Sequence, residues 1–177
     1  IDRKTLADAQ LPGCGPIGSL ALQGDPMGAD IPADPYDPEK ARKLLAEAGY
    51  PKGFYGGNFY PYDAGFWQYG EQVANYWKTI GITVETVLFE RPAWLANRAG
   101  GKMKGGLFID PVPTPTIGGA FNLLFGPTAY GSYPDVEALW VQYTKAIDHR
   151  SRKDLITQLQ WLIYDKTMFI PLTNVNS

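Results

Sequence analysis

The sequence predicts an α/β domain: a mixed or mainly parallel sheet flanked by helices. Three observations lead there. Apolar residues recur every three or four positions in some stretches and every second position in others, so helical and extended segments alternate. Their order is helix, strand, helix, strand, helix, strand, two helices, strand, the alternation from which helix-covered sheets are built. The 20 Gly and 15 Pro residues supply the turns and shaped loops that such a chain needs.

Residues 1–10 read as the end of a helix, and residues 11–35, rich in Gly and Pro, as a long ordered loop. Residues 37–48 form a helix with both ends written into the sequence. Asp37 suits the cap, Pro38 the first helical position and Glu39 the positive end of the helix dipole. Ala41, Leu44, Leu45 and Ala48 make one apolar stripe, and Gly49 followed by Tyr50-Pro51 stops the helix. Residues 57–62 read as a strand. Phe66, Gly70, Val73, Trp77 and Ile80 mark an amphipathic helix closed by Gly81. Residues 82–89 are the clearest strand, and both faces are largely apolar or β-branched, which predicts a central strand covered on each side.

Residues 91–99 predict a short helix with Pro92 in its first turn, ended by Gly100-Gly101. Residues 105–109 read as a strand leading into the proline-stiffened segment 110–115. The Gly-rich stretch 118–131 reads as a loop framed by Phe121 and Tyr130. Two helices follow. Asp135 is the expected cap of the first, with Val136, Leu139, Trp140, Tyr143 and Ile147 as its stripe. In the second, Ser151 with Asp154 three residues on resembles a capping box, and Leu155, Leu159, Leu162 and Ile163 face inward. Residues 168–173 close the chain as a short apolar strand.

Composition excludes several function classes. At 177 residues, 45% hydrophobic and 19% charged, the chain can bury a full core as one domain or as a lobe of something larger. A net charge of −2 and scattered basic residues give no electrostatic footprint for nucleic acid. One cysteine, Cys14, forms no intrachain disulfide. With His149 the only histidine, a zinc site is barely begun and a cysteine–histidine pair needs Cys14 and the distant His149 to meet; no metal and no cofactor is expected. No apolar run approaches the roughly 18 residues of a membrane span. The chain opens at Ile1, without a methionine or a signal peptide, and is expected to be a processed or excised piece.

The wording of several segments is more specific than their periodicity. Tyr36-Asp37-Pro38-Glu39-Lys40-Ala41-Arg42-Lys43-Leu44-Leu45-Ala46-Glu47-Ala48-Gly49-Tyr50 closely resembles a signature of the family 5 extracellular solute-binding proteins, the dipeptide- and oligopeptide-binding components of bacterial ABC importers. Ile1-Asp2-Arg3 is similar to the opening of the helix that leads into that family's second lobe. Trp77-Lys78-Thr79-Ile80-Gly81-Ile82-Thr83-Val84 resembles its helix, Gly-Ile and Val-rich strand. Tyr130-Gly131-Ser132-Tyr133-Pro134-Asp135 and Ile170-Pro171-Leu172 are similar to later landmarks, so the likeness extends over nearly the whole chain. Two places depart from it. Gly101-Lys102-Met103-Lys104 stands where the family often has Gly-Asp-Phe-Asp, and Phe108-Ile109-Asp110-Pro111 lacks the aromatic neighbours usual around the aspartate.

The resemblance implies the second lobe of a type II periplasmic-binding-protein-like fold, with residues 1–177 a single ligand-binding domain of a larger two-lobed protein. It implies a binder rather than an enzyme, held in the periplasm or outside the cell and membrane-associated in some relatives. The implied partners are a small solute such as a peptide, a first lobe of the same protein, and the membrane permease of an ABC importer. Asp110 is the leading site residue, because an aspartate at a strand's end faces the crevice that open α/β sheets leave there. In peptide-binding relatives the matching aspartate is taken to hold the ligand's amino terminus; the alternative is an Asp-Pro turn whose carboxylate bonds local backbone. Tyr62, Asp63, Phe121 and Tyr130 are further candidates for a cleft wall, with core or turn packing as the alternative. Two rival functions stay open: a small carboxylate-dependent hydrolase using Asp110 and Asp63, which needs both acids within reach of one another, and a carbohydrate-binding module with exposed co-planar rings.

Overall fold

A computed structural model describes residues 1–10, 14–21, 24–111, 114, 116–124 and 133–174. In chain order the elements are α1 (Arg3–Gln10), β1 (Gly15–Pro16), α2 (Pro38–Glu47) and β2 (Phe54–Tyr60), then a 3₁₀ turn (Ala64–Phe66), α3 (Trp67–Thr79), β3 (Ile82–Thr86) and α4 (Arg91–Ala99). They continue with β4 (Leu107–Phe108), α5 (Ile117–Leu124), α6 (Pro134–Lys145), α7 (His149–Asp165) and β5 (Thr173–Asn174). The chain divides into two compact units, each assembled from two separate stretches. The first comprises residues 1–13 and 35–111, the second residues 14–34 and 112–177.

The first unit is built on a three-stranded parallel sheet in the order β3-β2-β4. Its middle strand is therefore β2, and β3 pairs with β2 alone among the described residues. This corrects the expectation that residues 82–89 form a central strand. Within Ile82–Thr86 half-buried and exposed residues alternate, as on an edge, and the apolar Val87 and Phe89 that made the run look buried on both faces lie beyond the strand's end. Pairing starts at a close approach of two glycines. A Cβ on Gly53, which has φ of +76°, would come within 1.9 Å of the Gly81 carbonyl oxygen, so only glycine lets Phe54 align with Ile82. Alternation along β2 then covers both faces of the sheet. Phe59 meets Trp77 of α3 edge to face at 5.1 Å, while its neighbour Tyr60 joins a cluster with Trp94 and Met103.

The helix of residues 37–48 forms as its ends dictate. The Asp37 carboxylate accepts from the Lys40 amide at 2.8 Å, Pro38 occupies the first turn, and the helix closes in a Schellman turn. There the Tyr50 amide donates to Leu45 and the Gly49 amide to Ala46, with Gly49 at φ +91°. Its apolar stripe is not buried: Leu44 is 53% exposed and no residue of α2 is fully covered. A polar tether holds it instead, the Arg42 guanidinium donating twice to the Thr79 carbonyl at the end of α3.

In the second unit α5, α6 and α7 share a core of Ile117, Ala120, Phe121, Val136, Tyr143, Ile156, Leu159 and Ile163. The stretch 24–34 is fixed to it through the buried Gln160 and the half-buried Lys153 and Asp25. Gln160 Nε2 donates to the Met27 and Ile156 carbonyls, both at 3.0 Å, and its Oε1 accepts from the Ala29 amide at 2.9 Å. Lys153 donates to the Pro26 and Gly28 carbonyls, and Asp25 accepts the first amide of α5, that of Ile117, at 2.7 Å. β1 and β5 form a short antiparallel ribbon.

Four sequence expectations need correction here. Residues 117–124 are a helix where a Gly-rich loop was expected; its N-terminal amides are satisfied by Asp25 and by Thr116 Oγ1, contacts in which glycine imposes no break. The cap of α7 is Asp148, whose carboxylate accepts from Ser151, so the helix begins before the Ser151–Asp154 pair. Tyr133 occupies the cap position of α6, Asp135 lies in its first turn, and Ile147 falls past its end, 97% exposed. Among the described residues the closing strand comprises Thr173–Asn174, starting later than expected.

Candidate functional site

The three parallel strands of the first unit deliver their carboxyl ends to one edge of the sheet, the position where open α/β sheets present ligand-binding groups. The ladder continues one step past each neighbour of β2: the Val87 amide donates to Phe59 and the Ile109 amide to Tyr60. Beyond these bonds the chain leaves the sheet at Tyr62, Phe89 and Asp110. Those residues and α4 form one cluster.

Asp110 is nine-tenths buried and its Oδ2 lies 3.2 Å from Nη1 of Arg98, which is equally buried, with side-chain exposures of 10% and 11%. The Arg98 guanidinium stands 5.6 Å over the ring of Trp94, which has no exposed surface. Tyr62 meets Trp94 edge to face at 4.9 Å and Phe66 at 5.7 Å, and the exposed Arg91 lies 5.4 Å over the Tyr62 ring. Tyr60 stacks on Phe89 at 5.9 Å. The Trp94 indole N–H is buried with no acceptor among the described residues. The result is a continuous series of Arg91, Tyr62, Trp94, Arg98 and Asp110. It contains two cations, one anion and large ring faces.

Of the five residues singled out by sequence, this cluster brings together Asp110 and Tyr62. Asp63 is close to Tyr62 in the chain, but its carboxylate caps the 3₁₀ turn by accepting from the Gly65 amide at 2.8 Å. Phe121 lies in the second unit with no exposed surface, edge to face with Trp140 at 6.0 Å, so its ring fills a core instead of forming an open wall. Tyr130 lies outside the described residues. Sequence reading missed Arg91, Trp94 and Arg98, although their spacing of three and four places all three on one face of α4. The second unit also holds a cavity of about 20 Å³, lined in part by Ser19, Phe121, Gln160 and Tyr164, with room for one water.

Among the described residues no group of three or more His, Cys, Asp or Glu could hold a metal ion. None of the helices among them is long and apolar enough to cross a membrane.

Comparison with known proteins matches residues 1–132 to the family described as bacterial extracellular solute-binding proteins, family 5 Middle. The chain is 24% identical to heme-binding protein A of Haemophilus influenzae over 98% of its length and 34% of the relative's. Its fold is similar to that of a dipeptide-binding protein from Pseudoalteromonas sp. SM9913 in complex with Met-Leu, with a TM-score of 0.82 at 20% identity over 98% of this chain and 37% of that one. It is also similar to Haemophilus influenzae OppA in complex with the peptide RPPGFSPFR, with a TM-score of 0.76 at 19% identity over 98% of this chain and 37% of that one. The chain thus spans little more than a third of the length of these relatives.

Proposed function

The chain belongs to the bacterial extracellular solute-binding proteins of family 5, and on that footing we propose that residues 1–177 form one ligand-binding lobe of a larger two-lobed protein. The lobe supplies one wall of a cleft that closes around a small solute, a peptide in the first instance. The closed form is recognised by the membrane permease of an ABC importer outside the cytoplasm. One observation supports this reading above others: three parallel strand ends and α4 gather rings, cations and a carboxylate at a single edge of one sheet. The solute meets that edge at Tyr62 and Arg91, with Asp110, Arg98 and Trp94 behind them. The Met-Leu and nonapeptide complexes of similar fold support a peptide as the solute class.

A carboxylate hydrolase is the weaker reading, because both carboxylates are already engaged, Asp110 with Arg98 and Asp63 with the Gly65 amide that it caps. The test is calorimetry with short peptides on the full-length protein and on the 177-residue chain. Binding by the full-length protein with weak or no binding by the chain alone is expected, since half of the desolvating wall is missing from the latter. Submicromolar binding by the chain alone contradicts the proposal.

A further inference from the structure

We propose that the turn between α6 and α7 is a contact surface for anionic lipid headgroups. It belongs to the second unit and is independent of which solute the first unit binds. The chain has a net charge of −2, yet four of its 16 lysines and arginines fall within residues 145–153, at Lys145, Arg150, Arg152 and Lys153. The one acid among those residues is Asp148, whose carboxylate accepts from the Ser151 amide at 2.8 Å; the exposed Asp154 follows. None of the four cations makes an ion pair among the described residues. Arg152 donates to the Tyr143 hydroxyl at 2.8 Å and to the Ala146 carbonyl at 3.2 Å, and Lys153 to the Pro26 and Gly28 carbonyls. Those oxygens are neutral and leave both charges in place. Lys145 and Arg150 are exposed. Helix electrostatics do not explain the arrangement. The first turn of α7 has no acidic residue, and three of the four cations stand near that end, where the helix dipole favours anions.

At the tip of this basic turn Ile147 is 97% exposed, while the next most exposed large apolar side chain among the described residues, Tyr55, is 62% exposed. One projecting side chain cannot supply the apolar core of a specific protein interface, which covers about 1,000 Å² or more. A fluid headgroup layer takes up an apolar side chain without matching its shape, and neighbouring cations hold it there by attraction to lipid phosphates.

The experiment is co-sedimentation of the full-length protein with vesicles of phosphatidylcholine alone and with vesicles containing roughly 30% phosphatidylglycerol, in roughly 0.05 M salt. The proposal expects about tenfold stronger partitioning onto the anionic vesicles, lost in roughly 0.5 M salt. A lipid anchor elsewhere in the protein would act on both kinds of vesicle, so the ratio between them reads this surface. The double variant Lys145→Glu with Arg150→Glu should bring the ratio close to one, and Ile147→Ser should lower it by about threefold. All three side chains are exposed, so an unchanged melting temperature is expected and shows that the variants fold. Equal partitioning of the native protein onto both kinds of vesicle overturns the proposal, as does an anionic preference that the double variant retains. A preference that Ile147→Ser leaves intact overturns it too, because a contact driven by charge alone suits an acidic protein equally well.

Discussion

The two units use covered and half-covered polar side chains differently. In the second, Gln160, Lys153 and Asp25 meet backbone amides and carbonyls of the segment they hold, and each contact fixes a piece of chain. In the first, the Arg98 guanidinium of α4 and the Asp110 carboxylate just past β4 are nine-tenths buried against one another. Polar side chains that satisfy backbone are an ordinary means of anchoring a loop. A buried ion pair is a poor means of gaining stability, because desolvating both charges offsets most of their attraction. Its location at the carboxyl edge of the sheet therefore argues for a role in recognition, whereas the second unit's polar groups are accounted for by architecture.

The largest expected effect breaks the first of these arrangements. Arg98→Met leaves the Asp110 carboxylate buried without its counter-charge and should cost about 3–5 kcal/mol, whereas the double change Arg98→Met with Asp110→Leu should recover most of that loss. Urea denaturation of the three proteins checks it. Recovery is the informative result, since it separates a pair kept for recognition from one on which the fold depends. Gln160→Ala comes next. It strips partners from the Ala29 amide and the Met27 carbonyl, and a cost of about 1–3 kcal/mol is expected, with faster amide exchange confined to residues 24–34.

Smaller effects belong to exposed helix ends. Asp37→Ala removes the cap of α2 and should cost about 1 kcal/mol by thermal denaturation. The smallest is pH-dependent. The Ser151 backbone amide holds the Asp148 carboxyl below its ordinary value of 3.8, and the Lys166 ammonium does the same for Asp135. A carboxyl with a lowered folded-state pKa contributes stability above its unfolded value and loses it as pH falls through the folded value. The melting temperature should therefore decline below about pH 4, where unfolded carboxylates begin to protonate, and Asp148→Asn should make that decline shallower. An unchanged acid limb in the variant would remove Asp148 from the account.

Local signals in the chain were legible where a residue acts on its near neighbours. The cap at Asp37, the stop at Gly49 and the bounds of α4 follow from contacts within a few residues. Legibility failed where a distant residue decides. The Ile117–Leu124 helix is started in part by Asp25, 92 residues away in sequence, and its glycines alone suggest a loop. The order β3-β2-β4 depends on which strand β4 joins, which no alternation pattern reveals. Asp110 was located by its place at a strand end, but the guanidinium that neutralises it comes from another element, and the partner changes what the carboxylate can bind.

Hydrogen–deuterium exchange of the full-length protein, with and without saturating solute, tests the central claim most directly. The account predicts slower exchange on binding at residues 60–63, 87–91 and 108–110, where the strands of the first unit end, with little change across residues 24–34. Protection confined to the second unit, with those strand ends unaffected, would contradict it.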